Sequence, residues 1–329
     1  METSLGDKNN GILTISLDFE LLWGLFDKIG GRVDRDYFRR TRTLIPGLLE
    51  LFQAYGVEVT WATVGMLFAD NEEEWRAFQP EILPTYRDEK LSAYHWAGKF
   101  GLDPDLHFAP DLIRQVMDCP GQEIGSHTFA HYYTLSPGQS PEQFRADLQA
   151  SQHIAKSKFG ISLASLVFPR NHINFQYLDI CLEEGFSQVR GNPADWYWQE
   201  NQHEGWAKKI FRTADCLVPL GKDKTYGGSQ VYQYREGLWV LPASRFLRPI
   251  KSRSPISNSL KAHRIKSEMS EAAQKGRIYH LWWHPHNFAL TPEDSFRELE
   301  TLLRHYKKLQ EEYGMASLSM KNLGLRLGG

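Results

Sequence analysis

Cysteine is scarce in this chain of 329 residues. The three present, Cys119, Cys181 and Cys216, are isolated and odd in number. They form neither a closely spaced metal or redox pair nor the framework of a disulfide-stabilised fold. An excess of charge of one sign is also missing: 38 Lys and Arg face 40 Asp and Glu. Nothing global therefore argues for nucleic acid as a partner. No apolar run approaches the roughly 20 residues of a membrane-spanning helix, since residues 11–17 and 281–283 are far too short. The first ten residues lack the basic stretch followed by an apolar segment that marks a secretory signal. Internal repeats and low-complexity tails are absent. These absences point to a reduced, cytoplasmic chain with no transmembrane segment.

What is present is a core-forming composition, 41% hydrophobic and 13% aromatic. The length suits one large catalytic domain, residues 1–329. Along it, short apolar strands alternate with helical patterns. Residues 11–17, 57–64, 123–126, 165–168, 188–190 and 278–283 read as strands; a helical face runs through Leu44, Leu48, Leu49, Leu51 and Phe52 to Gly56. Further helices are expected over 71–78, 110–118, 141–159, 174–184, 259–275 and 292–313. Two stretches, near 80–108 and 191–258, lose the pattern and read as irregular insertions. Repeated strand–helix units predict an α/β fold with parallel strands, a closed or nearly closed (β/α) barrel.

Polar clusters follow directly after four of these strands: Asp18/Glu20, His127/His131, Arg170/Asn171 and His284/His286. In a β/α barrel such strand ends share one face, where active sites lie. Two histidines four apart can point the same way from one helical turn, so both rings could reach one metal ion. A carboxylate from elsewhere would complete a two-His-one-carboxylate set with open positions for water. Such a set suits hydrolysis, because a bound ion acidifies its water and polarises a carbonyl. Taken singly the residues say less. Paired histidines are often polar surface, and an acid after a strand is often a helix N-cap.

These clusters, in this order, resemble the NodB-type polysaccharide deacetylases of carbohydrate esterase family four. Ser16-Leu-Asp18-Phe-Glu20 stands where the family has its carboxylate motif, here spaced by one residue. His127-Thr-Phe-Ala-His131 matches the His-Ser/Thr-x-x-His motif in full, and Leu281-Trp-Trp-His284 matches the strand that ends in a histidine. Phe168-Pro-Arg170-Asn171 has the family's arginine after a proline rather than before it, and Asp195-Trp196 stands for its Asp-Trp pair. The resemblance runs from Gly11 to Gly324, outside the two irregular stretches. It implies a distorted (β/α) barrel that removes acetyl groups from N-acetyl sugars with a divalent metal.

By that resemblance Glu20, His127 and His131 hold the metal and Asp18 is the general base, although the unusual spacing allows the two carboxylates to exchange roles. Zinc is the default ion for such a set; iron, cobalt, nickel and manganese also suit it. Arg170 is expected against Asp18, or else in a structural ion pair. His284 would be the general acid, as befits a group that titrates near neutral pH. Asn171, His286, Asn287 and Trp196 are candidate substrate contacts, with Trp23 a further candidate sugar platform. The expected substrate is an N-acetyl amino sugar, nucleotide- or lipid-linked, in cell-surface polysaccharide or glycolipid biosynthesis. A deformylase or other amidase of the same superfamily is the near alternative, and a non-catalytic carbohydrate-binding protein the distant one. One stretch lies beyond the resemblance: Arg245, Arg248, Lys251, Arg253, Lys261, Arg264 and Lys266, with no acid among residues 245–266. It reads as a solvated face, or as a contact for phosphates or an anionic membrane surface.

Overall fold

A computed structural model of the chain describes residues 10–193, 195, 198, 211, 215, 224–250 and 254–328. Trp196, Cys216, Lys251 and Arg253 lie outside these residues. The strands are β1 (Ile12–Phe19), β2 (Val59–Thr63), β3 (Gln122–Ser126), β4 (Ser165–Leu166), β5 (Gln188–Gly191), β6 (Tyr232–Arg235), β7 (Leu238–Pro242), β8 (Arg245–Phe246), β9 (Ile278–Trp283) and β10 (Ala316–Ser317). In space the order is β6-β7-β5-β4-β3-β2-β1-β9-β8. Every pairing is parallel except β6 with β7. β10 lies along the start of β1, below the point where β2 begins.

The sheet closes through one bent strand. Only Ala243 and Ser244 separate β7, which pairs with β5, from β8, which pairs with β9. Their N–H groups donate across to Gly191 O and His280 O, at 2.8 Å each. The expected barrel is therefore present, and the closing strand comes from the stretch 191–258 that sequence patterning marks as irregular. Its strands are only four, five and two residues long. That is too short for a visible alternation. The stretch 80–108 likewise holds the short helices Ala93–Phe100 and Pro104–His107.

Alternation along β1 sorts its side chains. Leu13, Ile15, Leu17 and Phe19 enter the main core beneath the helices, together with Tyr279, Leu281 and Trp283 of β9. Ile12 and Ile278 instead join Tyr226, Leu241, Met320 and Leu323 in a separate apolar cluster inside the barrel. Residues of the same parity, Thr14, Ser16 and Asp18 on β1 with His280 and Trp282 on β9, must then also face inward. The barrel thus has an apolar floor and a polar mouth. The helix Met320–Gly328 seals the floor, with Met320 N–H donating to Thr60 Oγ1 at 2.8 Å.

The outer layer follows from capping and amphipathicity. The helix Arg35–Tyr55 starts where the Asp34 carboxylate accepts from Tyr37 N–H, and stops at Gly56, whose φ of 63° suits glycine. Phe52 on its inner face is fully buried between Trp61 and Trp283, with ring centroids 6.3 Å from each. Trp23 is also fully buried, against Trp75 and Trp96, so it is core rather than a sugar platform. Phe52→Ala should destabilise the protein by about 3–5 kcal/mol, read as a lowered urea midpoint with an unchanged slope.

Candidate active site

β1 delivers Asp18 and Glu20 to the mouth two residues apart, and both are buried. The chain then enters a tight 3-10 turn, Leu21–Gly24. Gly24 packs against the Glu20 carboxylate so closely that any Cβ there would overlap it. β3 delivers His127. The expected helical turn from His127 to His131 does not form, because Thr128 and His131 adopt left-handed backbone, with φ of 63° and 52°. Side chains hold this bend in place of helix hydrogen bonds. Ser126 Oγ accepts from Thr128 N–H at 3.0 Å, and Thr128 Oγ1 from Tyr132 N–H at 2.7 Å. Asp147, on the helix Pro141–Phe159, accepts from Phe129 N–H at 2.7 Å and Ala130 N–H at 3.0 Å. Burial pushes the Asp147 carboxyl up to about 7, against the pull of those two donors.

The bend still aims both rings at Glu20. Its Oε2 lies 3.3 Å from His127 Nε2 and 3.2 Å from His131 Nε2. Glu20, His127 and His131 place one ligand atom each within 4.8 Å of one another. His127 Nδ1 is 2.9 Å from Val167 O, so it carries the proton and leaves the Nε2 lone pair free. That Nε2 is buried without a hydrogen-bond partner. His131 Nδ1 is 3.0 Å from the Tyr133 hydroxyl, which orients the second ring. An orphaned buried nitrogen, a neighbouring carboxylate and two rings fixed from behind fit a metal ion. Burial pushes the Glu20 carboxyl up, but the His284 charge and the close approach of the His127 and His131 rings outweigh it and hold it well below the ordinary carboxylate range.

Asp18 is held differently. Arg190 donates to both its oxygens, from Nη1 at 2.5 Å and Nη2 at 2.8 Å. Burial raises the Asp18 carboxyl, and the Arg190 charge with smaller help from His127 and His284 brings it below its ordinary value. Arg190 also donates to Ser16 Oγ at 3.1 Å and to Asn171 Oδ1 at 2.8 Å, and its guanidinium lies 4.5 Å from the Trp282 ring centroid. Ser16 Oγ in turn lies 2.9 Å from His280 Nε2, a ring that burial and the Arg190 charge keep neutral, its pKa near 3.

The arginine expected against Asp18 was Arg170; the arginine found there is Arg190. Arg170 pairs with Asp27 and lies 4.6 Å from the Tyr133 ring centroid. It and Asn171 are both left-handed, with φ of 57° and 56°. In this backbone Asn171 is the one that reaches the Asp18 side, where its side-chain oxygen is committed to Arg190. A signal for Arg190 does exist in the sequence. Gln188-Val-Arg190 puts two polar residues at strand spacing around a valine, and in a closed barrel that parity can only face inward.

β9 brings the last group. His284 Nε2 lies 3.6 Å from Asp18 Oδ2 and 3.5 Å from Glu20 Oε1, and its side chain keeps 24% of its surface exposed. His286 stacks on it with centroids 4.9 Å apart and its Nδ1 3.8 Å from Glu20 Oε1; burial, then the His284 charge, lowers it to about 3. Asn287 is buried with its Nδ2 unpartnered. Much of the basic stretch 245–266 proves internal. Arg245 pairs with Glu268, Lys261 with Glu298, and Arg264 with Asp215 and Glu268.

The mouth of this parallel β/α barrel gathers two carboxylates, four histidines and a buried arginine. The chain belongs to the polysaccharide deacetylase family, whose model matches residues 26–189. His127 and His131 fall inside that match, and Asp18, Glu20 and His284 outside it. Over 113 residues, 32% of this chain and 36% of the relative, it is 33% identical to a Shewanella sediminis protein named probable 4-deoxy-4-formamido-L-arabinose-phosphoundecaprenol deformylase. The chain thus spans about a third of that relative's length. A Mycobacterium smegmatis protein described as a polysaccharide deacetylase has the same fold, with TM-score 0.62 and 13% identity over 98% of this chain and 92% of its own. A Pseudomonas aeruginosa PAO1 protein so described gives 0.51 and 12%, over 97% and 91%. No helix among the described residues is long and apolar enough to cross a membrane.

Asp147→Ala should leave two buried N–H groups without an acceptor, at a cost of roughly 1–3 kcal/mol each. Because those groups set the bend between the histidines, metal affinity should fall about tenfold or more, measured by competition against a chelating dye.

Proposed function

We propose that the protein is a metal-dependent hydrolase that removes an N-acetyl group from an amino sugar in cell-surface polysaccharide or glycolipid biosynthesis. The observation that carries this reading is the convergence of Glu20, His127 and His131 beside two groups suited to proton transfer, Asp18 and His284. Glu20 and the two Nε2 atoms would hold a divalent ion, zinc by the chemistry of the donor set. When bound, such an ion acidifies water and polarises an acyl oxygen.

The rest falls to the chain's own side chains. Asp18, kept ionised by Arg190, takes the proton of the attacking water. His284 is the most exposed of the mouth histidines, and it gives a proton to the departing amine. The unpartnered Nδ2 of Asn287 is available to the substrate, and His286 braces His284 by stacking. Arg190 and Asn171 position Asp18 without touching the sugar. Arg170 supports the Tyr133 side of His131. Trp196, outside the described residues, stays a proposed substrate contact on the resemblance alone. The whole of 1–329 would serve as one cytoplasmic catalytic domain.

A second reading has a specific observation behind it. The Shewanella relative is named as a deformylase of a lipid-linked formamido sugar, and a formyl group presents the same amide to the same residues. Acetate and formate release from matched N-acetyl and N-formyl sugars separates the two.

Purified protein should carry, or take up, about one divalent ion per chain. No ion bound, even on addition, would sink the hydrolytic mechanism. Asp18→Asn should lower kcat by about a thousandfold or more while metal content stays near that of the parent. Loss of the metal instead would show that Asp18 and Glu20 had exchanged roles.

A further inference from the structure

Below the mouth, inside the barrel, lies a titratable group that the reaction above does not use. His280 is fully buried on β9, beside Thr14 of β1, with Ile12, Ile278 and Leu241 forming the apolar floor of the barrel. An imidazole is an unfavourable occupant there. Its Nδ1 is buried without a full hydrogen bond, as is the Thr14 hydroxyl. A leucine would fill such a place without that cost. The ring's other nitrogen shows what the imidazole is for.

His280 Nε2 lies 2.9 Å from Ser16 Oγ. The proton between them belongs to the serine. Ser16 Oγ already accepts from Arg190 Nη1 at 3.1 Å, and among the described residues its own O–H has no acceptor other than Nε2. Burial, then the Arg190 charge, keeps the ring from taking a second proton, while the Pro242 carbonyl attracts the one it has. His280 therefore holds the Ser16 hydroxyl as a donor toward β9, which leaves the serine lone pairs to Arg190.

That acceptor completes a set. The five N–H groups of Arg190 go to Ser16 Oγ, to the two Asp18 oxygens and, from Nε and Nη2, to Asn171 Oδ1. A guanidinium with every donor taken has one orientation, and it fixes the carboxylate it grips. If the Ser16 hydroxyl swung round, its proton would meet an Arg190 N–H and the fork would tilt away from Asp18.

The ring is itself anchored from the segment that shuts the barrel. His280 N–H donates to Ser244 Oγ at 2.9 Å, and Ser244 N–H donates to His280 O at 2.8 Å. Ser244 lies in the bend between β7 and β8. A line of contacts thus runs from the closing bend through His280, Ser16 and Arg190 to Asp18.

We propose that His280 is a positioning residue for the general base: held by the closing bend, it fixes the Ser16 hydroxyl and through it the Arg190 fork that aims Asp18. Its role in turnover rests on the amide-hydrolase reading; its grip on Arg190 does not. The test uses the zinc-loaded protein with His280→Leu, His280→Gln, Ser16→Ala and the double variant Ser16→Ala/His280→Leu. Arginine side chains labelled with nitrogen-15 report the guanidinium by NMR, and Arg190→Lys identifies its signals by their loss. In the parent these N–H signals should be sharp and slow to exchange with water. His280→Leu and Ser16→Ala should each speed that exchange about tenfold or more, the loss expected for a hydrogen bond to a charged group. His280→Gln, whose amide oxygen can accept from Ser16, should restore most of it. With N-acetylglucosamine and N-formylglucosamine, kcat should fall in step while KM, zinc content and the urea midpoint stay near those of the parent. The double variant should be no worse than either single one, because both cut the same line.

Unchanged exchange in His280→Leu and Ser16→Ala would overturn the proposal, as would faster exchange with undiminished kcat. A fall in kcat that His280→Gln does not relieve, or one matched by a lowered urea midpoint, would also overturn it, because the ring would then serve packing alone. Should His280→Leu fail to fold, Ser16→Ala decides by the same criteria. Faster exchange in the variants of a parent that hydrolyses neither sugar supports the linkage and counts against the amide-hydrolase reading. Hydrolysis that neither variant disturbs does the reverse.

Discussion

Two carboxylates share a space that water barely enters. Asp18 and Glu20 keep only 2% and 3% of their surface, and an unpaired ionised carboxylate in such a place costs several kcal/mol. Much of the mouth can be understood as compensation for that burial. The two acids receive different partners. Asp18 has a guanidinium, which stays charged and cannot be displaced as a neutral base. Glu20 has imidazoles, which can turn lone pairs toward an ion instead. One acid is thereby locked as a free anion, and the other is left ready to share a cation.

The supports of these partners come from deep in the fold. Arg190 is gripped by Asn171, Ser16 and the Trp282 face, and Ser16 continues to His280 near the middle of the barrel. The histidine bend is held from the helix side by Asp147 and from the ring side by Val167 and Tyr133. Strained backbone collects at these places, with Thr128, His131, Arg170 and Asn171 all left-handed. Such residues persist only where surrounding contacts over-determine them, and here each is tied by side-chain or backbone hydrogen bonds.

Much of this was readable from residue order. The apolar strands, and the habit of polar pairs to follow them, gave both the barrel and the face on which its site lies. Glu20, His127 and His131 converge as their types and strand-end positions suggested. The helical turn between the histidines did not appear, because the hydroxyls of Ser126 and Thr128 and the carboxylate of Asp147 offer the backbone better partners than a helix would. Arg190 stands out only weakly in the sequence, because one charged residue in a four-residue strand does not by itself show which way it faces. Its meaning appears only once the barrel is closed by Leu238–Phe246, a segment whose strands are too short to show a period. The basic stretch misled for a related reason. Its acidic partners, Asp215, Glu268 and Glu298, lie outside the window or on the next helix, and a count of neighbouring charges cannot see across a packed interface.

The neighbours of β1 set the order in which the protein can assemble. Ile12 pairs with Ile278 and with Ala316, so the strand that carries both acids lies between partners made some 265 and 300 residues later. Contacts this distant in sequence form slowly, because a long loop must be closed before any of them is rewarded. While the chain is being synthesised, the acids and the first histidines can exist without the strand that brings His284. The growing polypeptide therefore cannot bring His284 against Asp18 and Glu20 until β9 slides in beside β1. The cluster is complete only when β9 is in place and the barrel shuts.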